Sequence, residues 1–134
     1  MLSQTVEYAL RATLYIARHK RRVVRLSEVA RATHAPPRYL AKILGLLTRA
    51  GFLDSIRGRD GGFRIAPHRE NASLAEIVAV FELTEPRRCL LGHGTCGQNP
   101  SCTVHEKWAP IARSTAAFFA ETRINELQSP RTST

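Results

Sequence analysis

A helix with prolines at its start and a glycine at its end runs straight into a glycine-rich hairpin, and this junction restricts the fold more than any other feature. Pro36-Pro37 opens the helix; proline costs little there because first-turn N–H groups have no intrahelical acceptor. Tyr39, Leu40, Ile43, Leu44, Leu46 and Leu47 then recur at helical spacing over roughly 37–50, and Gly51 stands where helices commonly stop. Residues 52–56 and 63–66 read as two short strands around the tip Arg57-Gly58-Arg59-Asp60-Gly61-Gly62, and Pro67 ends the second.

Upstream, residues 4–18 carry Val6, Ala9, Leu10, Thr13, Leu14, Ile16 and Ala17 at helical spacing, with Ser3 placed to cap them. A basic loop from His19 to Arg22 leads to a short strand at Val23-Val24-Arg25-Leu26. Ser27 sits near the cap of a short helix ending at Ala32, and Thr33-His34-Ala35 turns the chain. Downstream, Ser73 and Glu76 form a capping box for a helix carrying Leu74, Ile77, Val78 and Val80. A last helix from about Val104 to Leu127 puts Trp108, Ile111, Thr115, Phe118, Phe119 and Thr122 on one side; its Pro110 is tolerable only near the first turn. Helix, short helix, turn, helix, hairpin is the order of a winged helix-turn-helix. The expected fold class is mainly α, with a small β-hairpin wing and a long C-terminal helix. The organisation expected is 1–84 DNA-binding domain, 85–105 cysteine loop, 106–128 long helix and 129–134 disordered tail. At 134 residues and 43% apolar content one core can form.

Charge divides the chain. Residues 1–69 hold 14 Lys and Arg against 4 Asp and Glu, whereas residues 70–134 hold 6 against 7. A polycationic first half in a winged-helix order points to double-stranded DNA as the partner. Any single arginine is ordinarily a solvated surface charge; the order of elements and the charge together carry the reading. The second helix of the pair is expected in the major groove. Arg38 and Lys42 lie one turn apart on its exposed side, with Ala41 and Gly45. The DNA-contacting set is Arg11, Pro37, Arg38, Tyr39 and Lys42 on the helices and Arg57, Arg59, Gly61, Gly62 and Arg64 on the hairpin, whose tip is expected to carry all three arginines, suited to minor-groove or phosphate contacts. Arg18, Arg25 and Arg49 are further phosphate candidates, which set affinity without reading sequence.

All three cysteines fall in one stretch, Cys89, Cys96 and Cys102, followed by His105, with spacing C-x6-C-x5-C-x2-H. Thiolates suit zinc, copper(I) or iron–sulfur clusters. A structural zinc site, an iron–sulfur cluster and a thiol redox switch all fit this donor set. The gaps are wider than the two to four residues common in zinc fingers, which leans towards a cluster. His93 lies inside the loop as a further donor or a plain polar residue, and His19, His34 and His68 read as surface residues. The odd cysteine count and the absence of a secretory signal favour the cytoplasm. No apolar run is long enough for a membrane span. Paired carboxylates, a nucleophile triad and a phosphate loop are all missing, so an enzyme is not expected.

Several segments together resemble one family. They are Tyr8-Ala9-Leu10-Arg11, Tyr39-Leu40-Ala41-Lys42-Ile43-Leu44, Gly51-Phe52-Leu53, the wing from Arg57 to Ala66, and the three cysteines before a Trp108-bearing helix. The chain resembles, over nearly its whole length, the Rrf2 family of bacterial winged-helix transcriptional regulators, with its IscR-like and NsrR-like branches. The resemblance implies a homodimer whose long C-terminal helices pair. It also implies an iron–sulfur cluster, 2Fe–2S or 4Fe–4S, on Cys89, Cys96 and Cys102 that tunes the DNA affinity of a repressor sensing redox, nitric oxide or cluster status. The alternative is a winged-helix DNA-binding protein with a structural zinc site or a thiol switch. Two residues compete as fourth ligand. Cys102-Thr103-Val104-His105 looks like the C-x2-H ending of the IscR-like loop, and Glu7 matches the position where NsrR-like members supply a carboxylate from the partner subunit. The first cysteine gap is one residue longer than in the IscR-like branch. Ala41 stands where that branch carries an acid, so its DNA sequence preference does not carry over.

Overall fold

The computed structural model describes residues 3–81 and 103–127. Cys89, Cys96, Cys102 and His93 lie outside the described residues, as do most of the 85–105 segment and the 129–134 tail. The first helix, α1 (Gln4–Arg18), is capped by Ser3, whose hydroxyl accepts from the Val6 N–H at 3.3 Å. Its buried side is Val6, Ala9, Ala12, Thr13, Ile16 and Ala17, and the Thr13 hydroxyl donates to the Ala9 carbonyl at 2.7 Å. Leu10 and Leu14, expected on that side, are half-buried at its margin, where they pack against the core.

The strand expected at 23–26 reduces to one bridge. Val24 exchanges both backbone hydrogen bonds with Phe63, at 2.7 and 2.8 Å. Helix α2 (Leu26–Thr33) starts directly behind it, with Arg25 in the N-cap position and no side-chain cap, so Ser27 does not cap it. The helix also runs through Thr33 before His34 turns the chain at φ 56°. Helix α3 (Pro37–Arg49) opens on Pro36-Pro37 as its composition requires. It closes in a Schellman motif: the Phe52 N–H reaches the Leu47 carbonyl and the Gly51 N–H the Thr48 carbonyl, both at 3.0 Å, with Gly51 at φ 88°.

Strands β1 (Leu53–Ile56) and β2 (Gly62–Ile65) pair antiparallel with Leu53 opposite Ile65, Asp54 opposite Arg64 and Ile56 opposite Gly62. Leu53 and Ile65 point inward and are buried. A 3-10 turn, Pro67–Arg69, leads to α4 (Leu74–Phe81). The capping box forms: the Ser73 hydroxyl accepts from the Glu76 N–H at 3.3 Å, and the Glu76 carboxylate accepts from the Ser73 N–H at 2.7 Å. That backbone hydrogen bond holds the Glu76 carboxyl below its usual pKa.

The last helix, α5, is His105–Glu121 and stops six residues before the expected Leu127. Thr122 turns extended, and the segment pairs with the start of α4. Leu74 N–H donates to the Thr122 carbonyl and Ile124 N–H to the Ala72 carbonyl, both at 2.9 Å. A 3-10 turn, Ile124–Leu127, follows. Ile124 is fully buried in the core, its turn packed against α1, and reaching that position requires the chain to leave the helix. Pro110 lies in the second turn of α5 and is exposed. Only Ala109 and Ala112 of α5 are buried; Ile111 and Phe118 are 55% and 54% exposed. Of the apolar side expected on this helix, Ile111 and Phe118 are open to solvent in a single chain, whereas Trp108 and Phe119 are half-buried, Phe119 against the core. Among the described residues, no helix is long and apolar enough to cross a membrane.

Candidate nucleic-acid interface

Leu40, Ile43, Leu44 and Leu47 turn one side of α3 into the core. At 3.6 residues per turn the opposite side carries Arg38, Lys42, Gly45 and Arg49. All three cations are exposed. The α3 helix thus presents a cationic outward edge, held rigidly by four leucine and isoleucine anchors. Pro37 is exposed at its first turn.

Tyr39 does not lie on that edge. Its phenol hydrogen-bonds the Thr5 hydroxyl, and its ring meets Tyr8 edge-on at 5.8 Å and 76°. It ties the start of α3 to the start of α1. Arg11 lies on the neighbouring part of α1, 5.6 Å over the Tyr8 ring and 3.9 Å from the Glu7 carboxylate; it also donates to the Thr33 carbonyl at 3.4 Å.

The wing separates its arginines. Arg57 and Arg59 lie in the exposed loop between the strands. Arg64, expected at the tip, sits within β2 opposite Asp54, with 3.5 Å between guanidinium and carboxylate. Arg25, a phosphate candidate, donates to the Arg59 carbonyl at 2.7 Å and lies 3.8 Å from Asp60. It braces the wing loop from the start of α2. Gly62 is needed by the fold itself: φ is 154°, and a Cβ would sit 2.4 Å from the Val24 carbonyl oxygen. Among the described residues, Arg38, Lys42, Arg49, Arg57 and Arg59 form no ion pair, whereas Arg11, Arg25 and Arg64 do. Unneutralised charge thus lies on the outward edge of α3 and on the wing loop, as it also does on Arg18, Arg21 and Arg31, and such charge is what binding a polyanion requires.

A second polar cluster fixes the helix pair from behind. The Glu28 carboxylate of α2 takes two hydrogen bonds from Arg22, at 3.0 and 2.6 Å, and one from the Tyr15 hydroxyl of α1. The Arg22 guanidinium and then the Tyr15 hydroxyl lower the Glu28 carboxyl to about 2, and the Glu28 carboxylate in turn raises the Tyr15 phenol. Nothing in the spacing of these residues singled them out; the clamp exists because α1 and α2 pack together.

Of the five residues expected to hold a cofactor, two are described. Glu7 is half-exposed on α1 beside Arg11, and His105 is the first residue of α5. No group of three His, Cys, Asp or Glu side chains converges among the described residues. The chemistry of the donor set, three thiols with an imidazole or a carboxylate, fits an iron–sulfur cluster, whose ligands are thiolates with occasional replacement by another donor.

The Rrf2 profile, described as an iron-dependent transcriptional regulator, matches residues 2–130. A helix-turn-helix-type transcriptional regulator of Aquifex aeolicus is 33% identical over 131 residues, which is 95% of this chain and 90% of that protein. The transcriptional regulator IscR of Vibrio vulnificus is 27% identical over 130 residues, covering 96% of this chain and 77% of its own length. Among solved structures, CymR, the global cysteine regulator of B. subtilis, superposes with a TM-score of 0.77 at 20% identity, covering 96% of this chain and 95% of that one. IscR of T. potens superposes at 0.71 with 19% identity, covering 96% and 86%. At these identities the structural likeness is one of fold.

Proposed function

The chain belongs to the Rrf2 family of transcriptional regulators, and from that premise we propose a homodimeric, cytoplasmic repressor whose DNA affinity is set by an iron–sulfur cluster. In this reading α3 enters the major groove of a double-stranded operator and the wing loop reaches the flanking minor groove or backbone. Arg38 and Lys42 read bases, Arg57 and Arg59 hold the wing to DNA, and Arg11 and Arg64 supply weaker phosphate contacts. Pro37, Gly61 and Gly62 contribute backbone approach, and Tyr39 sets the pitch of α3. The observation that carries this reading is the unpaired cationic edge of α3 beside the unpaired arginines of the wing.

Cys89, Cys96 and Cys102 would hold the cluster, with His105 as favoured fourth ligand and Glu7 of a second copy as its rival. The cluster supplies a reversible one-electron and ligand-exchange chemistry to which redox change or nitric oxide can couple. The chain's own residues do the rest. His105 begins α5, and the turn after α5 buries Ile124 against α1, on which α3 packs, so a change at the cysteine segment can reach the core that seats α3. Ile111 and Phe118, exposed on α5, are the surface on which a second copy would pack. A signal acts only through a free-energy difference between the two states it distinguishes.

Anaerobic purification with iron, sulfide and zinc assays and a visible spectrum tests the cofactor. Brown protein containing iron and sulfide is expected; colourless protein with stoichiometric zinc means a structural zinc site, and metal-free protein a thiol switch. His105→Ala should alter the cluster spectrum, and Glu7→Gln should not. The reverse outcome transfers the fourth ligand to the partner subunit's first helix.

A further inference from the structure

Most glycines among the described residues are dictated by the chain's own backbone. Gly51, Gly58 and Gly62 take positive φ, and a Cβ on Gly61 would sit 2.2 Å from the Ile56 carbonyl oxygen. Gly45 is different. It lies inside α3 with ordinary helical backbone, and a Cβ there would meet only the Arg49 guanidinium, at 3.8 Å. That is normal van der Waals contact with the far end of a flexible side chain. Folding alone favours alanine here, since glycine is the poorest helix former after proline. The weakness falls in the helix on which the interface depends, and nothing among the described residues compensates for it.

Position 45 is also central to the outward edge, between Lys42 and Arg49 and almost diametrically opposite the buried Leu40, Ile43, Leu44 and Leu47. A helix seated in the major groove meets base edges along the middle of its outward side, while long cations beside it reach further out. The missing side chain and the central position point to a partner surface.

We propose that Gly45 is the point of closest approach between α3 and the floor of the major groove, its bare backbone admitting a base-pair edge that any side chain would hold off. Gly45 is then a specificity-determining residue that makes no side-chain contact. Lys42 and Arg49 flank the contact, and the Arg49 guanidinium, which now lies over Gly45, swings outward as DNA enters. This inference rests on the reading of α3 as the DNA-contacting helix.

The test uses the full chain as wild type, Gly45→Ala and Gly45→Gln. Each is titrated with duplexes that the wild type selects from a random-sequence pool and with duplexes from the unselected pool. Thermal melting is recorded in parallel. Gly45→Ala should melt about 2–8 °C higher, because alanine is the better helix former. Its affinity for selected duplexes should fall about tenfold, that of Gly45→Gln further, and binding to unselected duplexes should change less than about twofold. Unchanged binding to selected duplexes, an equal loss on both pools, or a lower melting point for Gly45→Ala would each overturn the proposal. A wild type that enriches no duplex at all overturns the reading of α3 as well; enrichment by wild type with indifference at position 45 overturns only this inference.

Discussion

Every arginine of this chain carries the same charge, but they are not put to the same use. Arg25 holds the wing loop through the Arg59 carbonyl, and Arg64 faces Asp54 across the hairpin. Arg38 and Lys42 have no acidic partner among the described residues and stand on the outward edge of α3. Truncating either Arg38 or Lys42 to alanine should therefore cost about 1–3 kcal/mol of operator binding. Arg64→Ala should cost under about 1 kcal/mol, because that arginine must first give up an exposed ion pair. Fluorescence anisotropy on a selected duplex would distinguish the two classes. If all three variants lost equal affinity, strand register would have no bearing on which cations meet DNA. Sequence alone placed Arg64 with the tip arginines because Asp54 becomes its neighbour only when the two strands pair.

Elements set by local chemistry were legible, and those set by neighbours were not. The Ser3 cap, the proline-opened and glycine-closed α3, and the Ser73–Glu76 box each depend on residues within a turn of one another, and each is present. The start of α2 was misplaced by one residue because the bridge between Val24 and Phe63 fixes the chain ahead of it. The clamp joining α1 to α2 through Tyr15, Arg22 and Glu28 was invisible for the same reason. It carries a pH signature. The folded Glu28 pKa of about 2 lies below the usual carboxylate value of 4.5, so its stabilisation is complete above about pH 4.5 and is lost as pH falls towards 2. With Arg22 about half exposed, that contribution is about 1 kcal/mol or less after solvent screening. Glu28→Gln should melt earlier than wild type at pH 7, and the difference should close as pH approaches 2. A gap in melting midpoint that stayed constant over this range would mean that Glu28 acts by packing alone.

At the scale of the molecule, the segment after α5 closes the fold. Ile124 is fully buried, and the backbone around it pairs with residues 72–74. The 3-10 turn is thus part of the core that α1, α3 and α4 share, although the helix before it was expected to run on through it. Ile124→Ala should destabilise the whole domain by about 2–5 kcal/mol, measurable by urea titration. A loss below about 1 kcal/mol would show that the tail docks only loosely. The open side of α5 makes a separate prediction. If the chain pairs through α5 as proposed, Phe118→Glu should shift that dimer to monomer in sedimentation while leaving helical circular dichroism unchanged; a persistent dimer would place the interface elsewhere.

The order of elements, the charge division and the thiol donor set all follow from the sequence, because periodicity, capping and ligand chemistry act between residues close along the chain. Which arginines remain unpaired, where α5 ends and what binds α1 to α2 were decided only by tertiary structure. Each depends on groups brought together from distant positions: Asp54 against Arg64, Ile124 on the Ala72 carbonyl, Glu28 against Tyr15. Cation count measures how strongly a chain can attract DNA. Folding decides which of those cations are left free to touch it.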